Sequence, residues 1–203
     1  MSLRRRQTKH PIRTRVLVVC EGKLEASYFN AMNRHENVRS HFQLDVRCAY
    51  GGRHAKVLET AVNLFDSGRV AHHAVTWCIF DTETGQEASQ LKRTLDKCKQ
   101  HGFQVGLSNP CFNIWALAHV KELDAGPTTA EKSLREMKDA FGGKLNVTDM
   151  DWVCNRIMGG ENFSRVEAAM DRVKCIPPDE NSRVIQSNPS TSVAALVRSL
   201  MGS

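Results

Sequence analysis

Arg15-Val-Leu-Val-Val-Cys20-Glu21-Gly22 is the stretch on which the reading of this chain turns. Up to Cys20 it is a short β-branched apolar run, the pattern of a strand buried on both faces. Glu21-Gly22 then ends it with a carboxylate and a break. A helix over Glu25 to Met32 is expected next, followed by a second strand over Phe42 to Tyr50. In that strand Phe42, Leu44, Val46 and Cys48 alternate with more polar residues, and Gly51-Gly52 stops it. Leu58, Ala61, Val62 and Phe65 share one face of a following helix. A third strand, Val75 to Phe80, ends in Asp81; Leu91, Leu95 and Cys98 mark an amphipathic helix, and Phe103 to Leu107 make a fourth strand. Strands separated by helices of this length predict βαβ units and a mostly parallel, Rossmann-like α/β sheet flanked by helices.

The C-terminal half reads as helical. Asn109-Pro110 and Asn188-Pro189 fit an N-cap followed by proline at the first helical position. Thr128-x-x-Glu131 fits a capping box, opening a helix with Leu134, Met137 and Phe141 on one side. Further helices carry Phe163, Val166, Met170 and Val173, and then Val193, Leu196, Val197 and Leu200. The organisation expected is a basic flexible tail over 1–14 and a single domain over 15–203.

Composition narrows the class. A 41% hydrophobic, 25% charged chain of 203 residues has the material for one globular core. No apolar run approaches the ~20 residues of a membrane span, and Val16–Cys20 is too short for a signal-peptide core, so a cytoplasmic protein is expected. Seven cysteines, an odd number without CxxC spacing, argue against a disulfide framework or a zinc site. They are read as reduced core residues. Arg4, Arg5, Arg6, Lys9, Arg13 and Arg15 equal the whole formal charge of +6 and leave the remainder neutral. Such an arm either binds phosphates by counterion release or is simply a solvated tail.

In an open parallel sheet, ligands bind outside the carboxyl ends of the strands. This sequence places Glu21 after strand one, Gly51-Gly52-Arg53-His54 with Lys56 after strand two, Asp81-Thr82-Glu83 after strand three and Ser108-Asn109 after strand four. Convergent carboxylates suit a hard cation such as Mg²⁺ or Mn²⁺, which polarises a phosphoryl oxygen and acidifies a bound water. Glu21, on a separate strand, is placed for proton transfer. Asp81 taken alone reads as a helix N-cap; the combination carries the site. Arg53 and Lys56 are candidate phosphate contacts. His72-His73 falls at the wrong end of the sheet, and His119 reads as a packing histidine. No Ser-His-Asp order, P-loop or Rossmann fingerprint is present.

These residues resemble the RloB-like family, associated with bacterial restriction and phage-defence loci. Val16-Leu-Val-Val-Cys-Glu21-Gly-Lys-Leu-Glu25-Ala-Ser-Tyr-Phe29 is similar to its opening motif. Phe80-Asp81-Thr-Glu83 is similar to its second acidic motif, Ser108-Asn-Pro-Cys-Phe-Asn113-Ile-Trp115 through His119 to its S-N-P-x-F-E-x-W block, and Asn188-Pro-Ser-Thr191 to its closing block. The resemblance implies a Toprim-related fold, with Glu21 in proton transfer and Asp81 and Glu83 holding Mg²⁺. It also implies a nucleic-acid substrate, DNA or tRNA, and an AAA-type ATPase partner; whether the chain oligomerises is left open. Glu25, Arg53, Lys56, Ser108, Asn109 and Asn113 are the substrate-binding candidates. The chain departs from the pattern at Leu24, where threonine is common, and at Asn113, where the block usually has glutamate. Two readings follow besides the Mg²⁺-dependent nuclease of abortive infection: a catalytically degenerate binding module, and, ranked last, a small-molecule phosphotransferase or phosphatase.

Overall fold

The computed structural model describes residues 13–50, 53–68, 75–82, 88–173 and 176–202. The basic tail apart from Arg13 and Arg15, Gly51-Gly52, His72-His73, Glu83 and Cys175 lie outside the described residues. Five strands form one sheet: β1 (Thr14–Cys20), β2 (Phe42–Cys48), β3 (Val75–Asp81), β4 (Gln104–Asn109) and β5 (Ser190–Thr191), in the order β2-β1-β3-β4-β5. The first four are parallel, as expected, and β5 runs antiparallel against β4.

The helices are α1 (Lys23–Met32), α2 (Glu36–His41), α3 (His54–Asp66), α4 (Ala88–Gln100), α5 (Asn113–Ala118), α6 (Ala130–Phe141), α7 (Met150–Trp152), α8 (Val166–Arg172), α9 (Asn181–Gln186) and α10 (Val193–Met201). A π-helical segment, Val153–Met158, continues α7. None of the described helices is long and apolar enough to cross a membrane.

The double burial of β1 explains its unbroken apolar run. Val16, Val18 and Cys20 face a core shared with α1, α5 and α10, whereas Leu17 and Val19 face a second core under α3 and α4. β2 is an edge strand covered on one side only, so Phe42, Leu44 and Val46 pack inward while its alternate residues stay more polar. The six described cysteines are free, and all but Cys48 are buried.

Several expectations are corrected. β2 ends at Cys48, before Tyr50. β4 continues past Leu107 because Ser108 and Asn109 pair with Thr191 and Ser190. Neither Asn-Pro pair caps a helix, and both peptide bonds are cis. Asn109 instead points its amide at the carbonyls of Val184, Ile185 and Ser187, at 3.0, 3.1 and 3.0 Å. Asn188 exchanges two bonds with the backbone of Thr128, and the cap of α6 falls one residue later than expected. The cap is Thr129, whose hydroxyl accepts from the Lys132 N–H at 3.1 Å. The buried face of α6 is accordingly Ser133, Met137 and Phe141, with Leu134 exposed.

Replacing Asn109 removes a side-chain donor from the Ile185 carbonyl, leaves the Val184 and Ser187 carbonyls to Ser190 Oγ as their remaining side-chain donor, and takes the Oδ1 acceptor from the Thr82 hydroxyl. Asn109→Ala is expected to cost about 2–4 kcal/mol, read from the denaturant midpoint against wild type.

Candidate active site

Adjacent strands whose following helices lie on opposite faces open a crevice at their carboxyl ends. β1 and β3 are such a pair, since α1 packs into one core and α4 into the other. Glu21 stands at this crevice. Its N–H donates to the Ile79 carbonyl at 3.0 Å, which holds the residue against β3. Its side chain then turns along the edge, and Oε2 accepts from the Asp81 N–H at 3.4 Å. Glu21 and Asp81 therefore share one place.

Thr82 fixes Asp81 from the other side. Its N–H donates to the Ser108 carbonyl at 2.8 Å, and its hydroxyl donates to Asn109 Oδ1 at 3.0 Å. Spacing alone does not single Thr82 out, because its role depends on the neighbour that β4 supplies. Glu25, one turn into α1, is 5% exposed. Its carboxylate folds back against Gly22 at the start of its own helix. A Cβ on Gly22 would stand 2.6 Å from Glu25 Oε2, so the glycine makes room for that carboxylate rather than for an unusual turn.

The other candidates disperse. Ser108 is fully buried, and its hydroxyl lies 3.0 Å from Thr191 Oγ1. With Asn109 bonded as above, both act as internal ties instead of open substrate contacts. Asn113 donates to Ser133 Oγ at 3.2 Å, joining α5 to α6. Arg53 and Lys56 are exposed at the start of α3, and Lys56 pairs with Glu59 at 3.1 Å. His119 is a packing residue: Nδ1 donates to the Trp115 carbonyl at 2.8 Å, and Nε2 accepts from the Tyr28 hydroxyl at 3.1 Å. Burial drives its pKa down to about 4, so the ring is neutral.

Burial also raises Glu21 from the usual 4.5 to about 7, opposed by the Asp81 N–H and reinforced by the Glu25 charge. Burial raises Glu25 as well. The crevice thus holds carboxylates short of compensating positive charge, a donor set of hard oxygens that suits a divalent cation. Among the described residues, no three His, Cys, Asp or Glu side chains are grouped as a metal site. The Glu25 carboxylate is folded against Gly22, and Glu83 lies outside the described residues.

The fold and this crevice define an α/β domain with an acidic site at the switch point of a parallel sheet. The family model described as RloB-like protein matches residues 16–200, and the chain belongs to that family. No curated protein and no solved structure matches it.

The raised pKa has a measurable sign. A carboxyl whose folded pKa exceeds its unfolded one contributes fully below pH 4.5, and the contribution is lost as pH rises to about 7. Glu21→Gln is expected to flatten the fall in thermal midpoint across that window. At neutral pH it should raise the midpoint by a few degrees, since about 1 kcal/mol corresponds to roughly 2–4 °C for a chain this size. Calorimetry at a series of pH values checks both.

Proposed function

We propose that the chain is a Mg²⁺- or Mn²⁺-dependent nuclease cutting DNA or RNA phosphodiesters, acting in bacterial phage defence with an AAA-type ATPase partner. The observation that carries the chemistry is the pairing of Glu21 with Asp81 in one crevice, with the Glu21 carboxyl titrating at about 7. A group with that pKa both accepts and returns a proton near neutral pH, as general acid–base work requires. Asp81 would hold the cation, with Glu83 two residues beyond it as a further oxygen donor, and Glu21 stands beside them to move the proton. Bound there, Mg²⁺ supplies a Lewis acid for a phosphoryl oxygen and a lowered pKa for a coordinated water. Thr82 and Asn109 keep Asp81 at the edge, and Gly22 lets the Glu25 carboxylate close onto the first turn of α1 behind Glu21. Membership of the RloB-like family supports the defence setting, through what the resemblance implies.

A second reading, a binding module that has lost catalysis, is favoured by Asn113. The position where the family block has glutamate is here an uncharged side chain bonded to Ser133.

Cleavage of mixed DNA and of total tRNA, with Mg²⁺ or Mn²⁺, separates the two. Metal-dependent cutting by wild type is expected to fall at least about 100-fold in Asp81→Ala and in Glu21→Gln. Cutting that survives both substitutions overturns the assignment of the site. No cutting by wild type, with or without the ATPase partner, hands the case to the binding module. Asn113→Glu is then the variant expected to recover activity.

A further inference from the structure

Charge on the folded body is segregated although its formal sum is close to zero. Helix α4 exposes Lys92, Arg93, Lys97 and Lys99 and holds a single acid, Asp96. None of these four cations pairs with a carboxylate among the described residues, whereas Arg34, Lys121, Arg172 and Arg183 all do. Helical spacing divides the four between two flanks. Lys92 and Lys99 turn with Asp96 toward a cavity of about 560 Å³ beside β4 and α9. Arg93 and Lys97 turn the other way, toward a groove of about 280 Å³ shared with α3.

That second groove is basic with an apolar floor. Among the described residues its one lining acid, Glu59, is paired with Lys56 at 3.1 Å. Ala55, Leu58 and Val62 form the floor. Arg93 and Lys97 stand about 6 Å apart along the helix, and His101 follows one turn later. His101 is exposed and stacks on buried Phe103, with ring centroids 5.3 Å apart and an interplanar angle of 20°. A row of unpaired cations beside an exposed, pre-stacked ring is the combination that single-strand binders use for phosphates and bases. A groove of about 280 Å³ is small against a duplex, whereas a single strand can lay its phosphates along the cations and one base on the ring. Both helices begin at the carboxyl edge, since α3 follows β2 and α4 follows β3, and the row Arg93, Lys97 and His101 runs from the middle of α4 to the opposite edge, where His101 stands just before β4.

We propose that the α3–α4 groove binds a single-stranded polynucleotide, with Arg93 and Lys97 on its phosphates and His101 stacked on a base. Where the strand leads, to the acidic crevice, rests on the nuclease reading; its binding does not.

The test is fluorescence anisotropy of labelled oligo(dT) with the full chain in EDTA, where cutting cannot intervene, across a salt series. Arg93→Gln/Lys97→Gln is expected to weaken binding about tenfold and to lower the salt slope by about 1.4, the effect of two single-strand phosphate contacts. His101→Ala should weaken it at least about fivefold with the slope unchanged. Arg135→Gln/Lys138→Gln on exposed α6 should change neither, and a mixed-sequence duplex should bind more weakly than oligo(dT). Equal isotherms and slopes for wild type and the Arg93/Lys97 variant overturn the groove, as does failure of wild type to bind. If that variant binds normally while Asp81→Ala abolishes cutting, the groove falls and the nuclease reading stands. If binding depends on Arg93 and Lys97 while no metal-dependent cutting exists, the reverse holds.

Discussion

The amide of Asn109 holds the two halves of the molecule together. Its Nδ2 meets three carbonyls at the end of α9, and its Oδ1 receives the Thr82 hydroxyl. One side chain thus joins the last parallel strand, the turn after β3 and the C-terminal segment that supplies β5. Close by, Ser192 spans the same seam, accepting from the Leu107 N–H at 2.9 Å. The Ser-Asn-Pro tripeptide occurs twice for connected reasons: the first asparagine grips the carbonyl of Ser187 in the second copy, and the second asparagine grips Thr128. These ties help decide where Asp81 stands, together with its pairing to Ser108 and the bond from the Thr82 N–H to the Ser108 carbonyl.

The crevice shows the opposite economy. Core packing stabilises the sheet through Leu17, Val18 and Val19, each fully buried. Just past that run, Glu21 and, four residues further on, Glu25 are placed where burial disfavours their charged forms. A fold gains nothing from raised carboxylates as such, and titratable groups perturbed by burial in a crevice mark functional sites more often than structural ones. His119 is the counterexample within the same molecule. It is more deeply buried than Glu21, yet both ring nitrogens are satisfied by Trp115 and Tyr28, and it lies in the core away from any crevice.

The parallel sheet was legible because β1, β3 and β4 are apolar on both faces and are separated by amphipathic helices of ordinary length. Glu21 and Asp81 were legible for the same reason, since the residue that ends a buried parallel strand is delivered to a known edge. What sequence misread were the asparagines. Asn before Pro has the local chemistry of a helix cap, and only the long-range approach of α9 and of Thr128 shows where each amide goes. Ser108 was misplaced with them, because a two-residue strand, Ser190–Thr191, has no periodicity to announce it. The charge on α4 was hidden by arithmetic: a sum over the body cancels cations that three dimensions leave uncancelled.

β2 closes the sheet on one side with no further strand beyond it among the described residues. Its outer backbone groups are a template on which another polypeptide could add in register. Asp45 and Arg47 stand on its uncovered face and bind each other at 2.8 Å, so the exposed side of this edge strand is charged. Charged side chains on an edge strand are one of the means by which proteins discourage such pairing, a consequence for colloidal behaviour at high concentration that is independent of the acidic crevice.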